Sequence, residues 1–294
     1  MSSITKDERS NQEILTFANF NPEEHSVYGI GGDVIPQMAQ VFGHNLTDKP
    51  DVENLGKLIR EVGPAKTLQD NIHRVERQIG TNDDAIDLAR SWVEKSGLLL
   101  PVNRSFLDPN ETVPSGSDAY IITSGAANWM HRRADTLITE IDCVGIQIGR
   151  VVLAAGNQQV KGGREDVTDG ITEYWYMKEI IEPKLNEAGI EVDEVIEVNS
   201  GLGRDVAEQA VKSCIRSEKE TITVVSNAGV WAQDAGQIGR AMVKNDIDPK
   251  GRLHVISDDF PLGTGKESAS THQNPLTALG LIVRSARAFV QSQG

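Results

Sequence analysis

The sequence contains few cysteines and few aromatic residues, and it lacks a long apolar run. Only Cys143 and Cys214 occur in 294 residues. Two cysteines cannot make a disulfide framework, so both are predicted to be buried free thiols. No stretch of about 18 apolar residues occurs, which predicts the absence of a transmembrane helix. The first 19 residues are polar and lack the apolar segment of a signal peptide. These absences predict a cytoplasmic protein without a membrane partner.

Basic residues are also scarce. The chain has 29 Lys and Arg against 43 Asp and Glu, which gives a formal net charge of −14. Such an acidic surface repels phosphate backbones, and no Lys/Arg cluster offsets it, so we expect no nucleic-acid partner. The sequence is compatible with an oligomer but does not predict one.

Several catalytic motifs are missing. The six histidines are scattered without His-x-x-x-His or His/Cys spacing, so no metal site is predicted. Gly-x-Ser-x-Gly is absent, which argues against a nucleophilic serine of the hydrolase type. Neither the Gly-x-Gly-x-x-Gly fingerprint nor a Walker loop is present, so a nicotinamide site and a P-loop are both disfavoured.

The chain changes in character after about 110 residues. Helical spacing of apolar residues at 51–62, 68–79 and 83–96 predicts a mainly helical N-terminal region, 1–112, packed on the core. The segment 101–117 is rich in Pro, Asn, Ser and Gly and is interpreted as a connector. Residues 113–294 are predicted to form an α/β domain that carries the ligand site.

Five short apolar segments recur in that second part, each ending in small polar residues. The predicted strands are 119–122, 150–153, 195–198, 222–225 and 253–256. Predicted helices follow at 129–140, 172–188, 205–217, 232–244 and 274–291. A repeated strand–loop–helix order predicts a doubly wound, Rossmann-like fold with a parallel sheet of about five strands.

Ligands of such sheets bind beyond the carboxyl ends of the strands. The loops at these ends are rich in Ser, Gly, Asn and Ala, which let backbone N–H groups approach an anionic ligand. Eight residues there are predicted to bind a small anionic molecule: Ser124, Gly125, Asn128, Arg132, Asn157, Asn199, Ser226 and Asn227. Arg132 or Arg133 would supply the counter-charge; alternatively the loop after the first strand is a tight turn followed by two surface arginines.

Two acidic residues are candidates for catalysis. Glu173 opens a predicted helix, where it could act as a general base or could simply favour the helix electrostatically. Asp258 follows the last strand together with Asp259, where the two could hold a ribose, a metal or a proton or could simply be solvated acids. His131 is the histidine closest to the predicted site.

The order of these elements resembles the YdcF-like family, which includes the SanA and ElyC envelope proteins. The resemblance covers 118–242 and rests on an Asp-Ala strand, an Arg-containing helix, a second strand with a small-residue end, a Glu-opened helix and a further strand end. The corresponding residues here are Asp118-Ala119-Tyr120-Ile121-Ile122, Arg132, 152–157, Glu173, Ala188-Gly189-Ile190, 195–197, 205–210 and 224–227. The resemblance implies a Rossmann-like fold with a nucleotide-sized pocket, and it names no substrate.

Three functions are compatible with these residues. The first is an enzyme that acts on a nucleotide, a nucleotide-sugar or an adenosyl-type ligand such as S-adenosylmethionine, with Glu173 as acid–base. The second is a sensor or partner-binding protein without turnover. The third is a glycosyl or deoxyribosyl transferase, in which Glu173 and Asp258 lie close together. The sequence fixes no cofactor, and we expect the first function.

Overall fold

The computed structural model describes residues 102–105, 116–145, 148–160, 170–201, 203–217 and 219–258. They belong to one compact unit, Pro101–Asp258. The predicted helices before residue 101, the packing of 1–112 on the core and the helix 274–291 lie outside the described residues. They stay predictions, as does the domain boundary near residue 112.

The described unit is built on a mixed sheet of six strands, most of them parallel. The strands are β1 (Val102–Ser105), β2 (Ala119–Thr123), β3 (Arg150–Gly156), β4 (Glu194–Val198), β5 (Ile222–Ser226) and β6 (Leu253–Ser257). Their order across the sheet is β1-β6-β5-β2-β3-β4. The strands β2 to β6 pair in parallel, and the five predicted strands are confirmed to within a few residues.

The strand β1 corrects the interpretation of 101–117 as a connector throughout. β1 pairs antiparallel with β6 at the edge of the sheet, with Asn103 opposite Ile256. Its sequence, Val-Asn-Arg-Ser, carries one apolar residue and therefore no strand pattern. Pairing with β6 makes it a strand, and the backbone N–H of Val102 also donates to Ser257 Oγ at 3.2 Å. The sheet thus has six strands and one antiparallel edge.

The helices follow the strands as the sequence predicts. They are α1 (Ala127–Val144), α2 (Glu173–Tyr176), α3 (Glu182–Glu187), α4 (Gly203–Cys214) and α5 (Trp231–Lys244). A π-helical turn, Met177–Ile181, joins α2 to α3, so the predicted helix 172–188 is continuous but locally widened. We attribute the widening to Pro183, which has no N–H to donate and whose ring crowds the preceding turn. Among the described helices, none combines the length and the apolar character needed to cross a membrane.

The helices cover both faces of the sheet. Tyr120 and Ile122 of β2 face α1, the π-helical turn and α3 in one buried cluster. Ile121 lies between them in sequence and therefore points to the other face. There α4 packs on β2, β3 and β4, and α5 packs on β5 and β6. The strands β2 and β3 are buried on both faces, which explains why their sequences are nearly continuous apolar runs, whereas the edge strand β4 is partly exposed and contains Glu197.

The two cysteines differ in exposure, which corrects the prediction that both are buried. Cys214 is buried in α4, whereas Cys143 is exposed in the last turn of α1. Burial raises the pKa of the Cys214 thiol to about 12. A thiol with so high a pKa carries almost no thiolate, the reactive form, at neutral pH.

We therefore expect one of the two thiols to react with a disulfide reagent in the native protein. Cys143 should react within minutes at pH 8, and Cys214 only after unfolding in guanidinium. Absorbance of the released thiolate measures both phases, and Cys143→Ser should remove the fast one. A fast phase that persists in Cys143→Ser would contradict the packing of α4.

Candidate functional site

The candidate site lies where the chain leaves β2 and β5 at the carboxyl edge of the sheet. These two strands are neighbours in the middle of the sheet. The chain leaving β2 enters α1 on one face, and the chain leaving β5 enters α5 on the other face. The two loops therefore diverge to opposite faces, and we call the space between them the crevice. Parallel sheets hold their ligands at points where neighbouring loops diverge in this way.

A serine hydroxyl and a carboxylate meet at this edge. Ser124 Oγ donates to Glu173 Oε2 at 2.6 Å, although the two residues are 49 positions apart in the chain. The backbone N–H of Gly156 donates to the same Ser124 Oγ at 3.3 Å. The contact therefore joins the ends of β2 and β3 to the start of α2, and it brings together a predicted ligand-binding residue and a predicted catalytic one.

Local structure fixes Glu173 beside Ser124. Thr172 caps α2, accepting a hydrogen bond from Trp175 N at 3.2 Å, and Glu173 N donates to Gln158 O at 2.8 Å. Gly156 allows the close approach, because a Cβ there would lie 2.7 Å from Ser200 O and 3.5 Å from Glu173 Oε2. As the first residue of α2, Glu173 also has the favourable helix electrostatics that the alternative interpretation requires.

Arg133 is buried beneath the crevice with 2% of its surface exposed. Its Nη1 donates to the carbonyl oxygens of Thr123 at 2.5 Å and Ser124 at 3.1 Å. Its Nε donates to Asn227 Oδ1 at 2.8 Å, and its Nη2 to Asp234 Oδ2 at 2.7 Å. One guanidinium thus ties the loop after β2 to the loop after β5, so Arg133 is not the surface arginine of the alternative interpretation.

Asp258 also joins elements at this edge. It pairs with Arg132 Nε, accepts a hydrogen bond from Asn227 Nδ2 at 3.2 Å, and accepts another from Ala228 N at 2.9 Å. The Arg132 side chain keeps 37% of its surface exposed, against 13% for Asp258. Three donors around one carboxylate fix the turn after β5 against the end of β6.

The other predicted ligand-binding residues lie at the same edge. Asn157 Nδ2 donates to Asn199 Oδ1 at 2.7 Å, which links the ends of β3 and β4. Ser226 is fully buried and donates to Asp234 Oδ2 at 2.6 Å. Asn128 lies in the first turn of α1, with its Oδ1 buried and without a hydrogen-bond partner. Gly125 precedes that turn, and an added Cβ there would make ordinary contact with Trp129.

His131 lies further along α1 and belongs to a separate cluster. Its Nε2 is 2.9 Å from Tyr176 Oη, and Lys184 Nζ donates to its Nδ1 at 3.3 Å. Lys184 also pairs with Asp135 at 2.6 Å. These contacts join α1 to α2 and α3, so His131 has a packing role in this part of the structure.

The sequence prediction gave Asp234 no role, and it offered Arg133 only as an alternative to Arg132 for the counter-charge to a ligand, not as a buried residue. A signal was present, since Met130, Arg133, Ala134 and Leu137 have the spacing of a buried helix face. Asp234 lies in the same way between Trp231 and Ile238, both buried in α5. A charged residue within a buried stripe must be paired, which points to an internal ion pair.

Within the described residues, neither a metal cluster nor the depression at the opposite edge of the sheet competes with this site. Within the described ranges, no three His, Cys, Asp or Glu side chains are grouped so as to hold a metal ion. A depression of about 730 Å³ lies at the opposite, amino edge, between Asp118, Arg150 and Asp193. Hydrogen bonds from the backbone and side chain of Thr221 lower the pKa of Asp118. Asp193 accepts from Val151 N at 2.8 Å, so these acids brace strand ends.

Comparison with known proteins adds no identification. No family model, curated protein or solved structure matches this chain.

Proposed function

We propose that this chain is an enzyme that binds a small anionic molecule of the nucleotide, nucleotide-sugar or adenosyl type. The ligand lies across the carboxyl ends of β2, β3 and β5. Glu173 transfers a proton or holds a ligand hydroxyl, and Ser124 holds Glu173 in place. Arg132, on the exposed side of the crevice, faces the anionic part of the ligand.

The proposal includes a finer description of the fold. With β1 set aside, the parallel strands follow the order β6-β5-β2-β3-β4, and helices cover both faces. This is the strand order of a doubly wound, Rossmann-like sheet, whose ligands bind at the reversal of strand order. The YdcF-like resemblance, with its nucleotide-sized pocket, is part of the same proposal.

The observation that carries the proposal is the contact between Ser124 and Glu173. A carboxylate at the first position of α2 is held 2.6 Å from a hydroxyl at the end of the central strand β2. Neither group is needed to close the core, because both side chains are half-buried at the edge of the sheet. A carboxylate held within hydrogen-bond reach of a hydroxyl can act as a general acid or base.

The contacts of Asp258 disfavour the transferase alternative. A transferase of that type needs two carboxylates that act on one bond. Asp258 already accepts from Asn227 and Ala228 and pairs with Arg132, which suits a residue that shapes the site. We therefore propose Glu173, rather than the pair, as the acid–base group.

The first test is a thermal-shift screen with nucleotides, nucleotide-sugars, S-adenosylmethionine and sugar phosphates. A ligand at a hundredfold excess over its Kd stabilises the native state by about 2.7 kcal/mol, which raises Tm by several degrees. We expect one class to give that shift. With this ligand, Glu173→Gln should lower turnover by about 10²- to 10⁴-fold, as expected for loss of an acid–base group.

Glu179→Gln is the matched control, because Glu179 is an exposed carboxylate on the same helical segment. It should leave both the Tm shift and turnover unchanged. A Tm shift with no chemical change of the ligand would favour the sensor. The absence of a Tm shift with every ligand class would contradict the proposal.

A further inference from the structure

We propose that Ser124 is a nucleophile and that Glu173 is its base, so that the site transfers a phosphoryl group through a covalent phosphoserine. The inference rests on the proposed function, since it takes the ligand to be a phosphoester or phosphoanhydride of the nucleotide type. It adds a reaction and a second catalytic residue to that function.

Four serine hydroxyls among the described residues donate to carboxylates. The pairs are Ser124–Glu173, Ser200–Asp205, Ser213–Glu194 and Ser226–Asp234. A hydrogen bond to a carboxylate alone therefore does not mark a nucleophile in this protein. The surroundings of the four pairs distinguish them.

Three of the pairs have plain structural roles. Ser226 is fully buried, and its partner oxygen, Asp234 Oδ2, is also bound by Arg133. Ser213 bonds Glu194 at the start of β4, away from the carboxyl edge. Ser200 bonds Asp205, five residues later, and so closes the local turn into α4.

Ser124 differs because it lies at the carboxyl end of the central strand β2 and its backbone is held on both sides. Ser124 N donates to Ala154 O at 2.9 Å, and Ser124 O accepts from Arg133 Nη1 at 3.1 Å. Rigid support of this kind keeps a nucleophile in one orientation without further ordering cost. The side chain stays half-buried rather than closed off.

The contacts of Ser124 Oγ suit a change from hydroxyl to alkoxide. Its proton already points to Glu173 Oε2 at 2.6 Å. The N–H of Gly156, at 3.3 Å, remains on the oxygen as the proton leaves and stabilises the negative charge that develops. A serine that donates to a base and accepts from a backbone amide is the arrangement expected of an activated nucleophile.

The same end of β2 suits a phosphate. The 18-residue helix α1 begins three residues after Ser124 and carries no acidic residue in its first turn. The positive end of its dipole therefore lies next to the oxygen that would attack.

The proposed phosphoryl transfer needs only the ligand, water, Ser124 and Glu173. Ser124 Oγ attacks phosphorus, and its proton passes to Glu173 Oε2. The bond from phosphorus to the leaving oxygen breaks, and that oxygen keeps the electron pair and takes the proton from Glu173. Water then attacks the phosphorus of phosphoserine, and Glu173 takes a proton from that water. The bond from phosphorus to Ser124 Oγ breaks, and Glu173 returns the proton to Oγ, which releases phosphate and restores Ser124.

The test uses diisopropyl fluorophosphate, a neutral phosphorus electrophile that leaves fluoride, on the full chain. We expect intact mass to rise by one diisopropylphosphoryl group and peptide mapping to place that group on Ser124. Glu173→Gln should slow labelling by about 100-fold, and Ser124→Ala should abolish it. Ser213→Ala, which removes a serine of a matching hydroxyl–carboxylate pair away from the site, should label at the original rate.

Mapping of the unsubstituted protein decides the outcome even if a variant does not fold. Absence of label, label on Ser200 or Ser213, or label on Ser124 at a rate that Glu173→Gln does not change would each overturn the inference. A ligand that gives a Tm shift while Ser124 stays unlabelled would be consistent with the proposed function and would reject only the role of Ser124 as nucleophile. Label on Ser124 without a Tm shift from any ligand of the screen would support the role of Ser124 as nucleophile and reject the proposed ligand class.

Discussion

Replacing Arg133 with methionine is expected to lower the free energy of unfolding by about 3–5 kcal/mol, the range for breaking a buried ion pair. Arg133 is 2% exposed, and its partner Asp234 would be left with its carboxylate in a nearly closed site. The carbonyl oxygens of Thr123 and Ser124 and the amide oxygen of Asn227 would lose their donor as well. Methionine fills much of the space but donates no hydrogen bond. Urea titration followed by far-UV circular dichroism measures the loss.

Arg132→Met is the matched control, because it changes the neighbouring arginine in the same helix. Arg132 keeps 37% of its side chain exposed, so its pair with Asp258 should contribute about 1 kcal/mol or less. Arg133→Met combined with Asp234→Leu should recover part of the loss, since it removes the isolated charge together with its partner. Equal losses in the two single variants would show that Arg133 does not hold the two loops together.

Replacing Gly149 with alanine is expected to cost about 3 kcal/mol, the upper part of the range for overpacking a core. A Cβ on Gly149 would lie 2.2 Å from Asp118 O and 2.4 Å from Ser117 O. Both atoms belong to the backbone leading into β2, so neither can turn aside as a flexible side chain would. The register of β2 with β3 begins here, with Ala119 opposite Arg150. The added methyl must therefore separate the two strands at their start.

Gly125→Ala provides the comparison for this variant. Its Cβ would lie 3.5 Å from the Trp129 side chain, an ordinary contact, and the change should stay within about 1 kcal/mol. Thermal and urea unfolding of both variants would measure the difference. A Gly149→Ala protein as stable as Gly125→Ala would show that β2 and β3 do not approach each other as described.

The sequence predicted the central strands well because their signal is local. Ile121, Val152 and Val224 lie in short runs that are apolar on both faces, and such runs are typical of strands covered by helices. It missed β1, since Val102 is the only apolar residue there and the strand exists through its pairing with β6. It also misplaced Cys143, because the last turn of a long helix can be apolar in sequence yet lie in solvent.

The candidate site was likewise predictable from the sequence only in part. The sequence by itself determined that loops rich in Ser, Gly and Asn follow the strands, and binding of a ligand at these loops stays a prediction. The roles of Arg132 and Arg133 did not follow, because neighbours on a helix point about 100° apart and the sequence does not say which one faces the sheet. The contact of Ser124 with Glu173 could not be predicted from the sequence either, since the two residues are 49 positions apart and meet only after β2 pairs with β3. Local propensity thus determined the central strands and the small polar loops that follow them. Only the tertiary structure decided which side chains meet there, because those meetings depend on strand order and helix rotation, which no short stretch of sequence encodes.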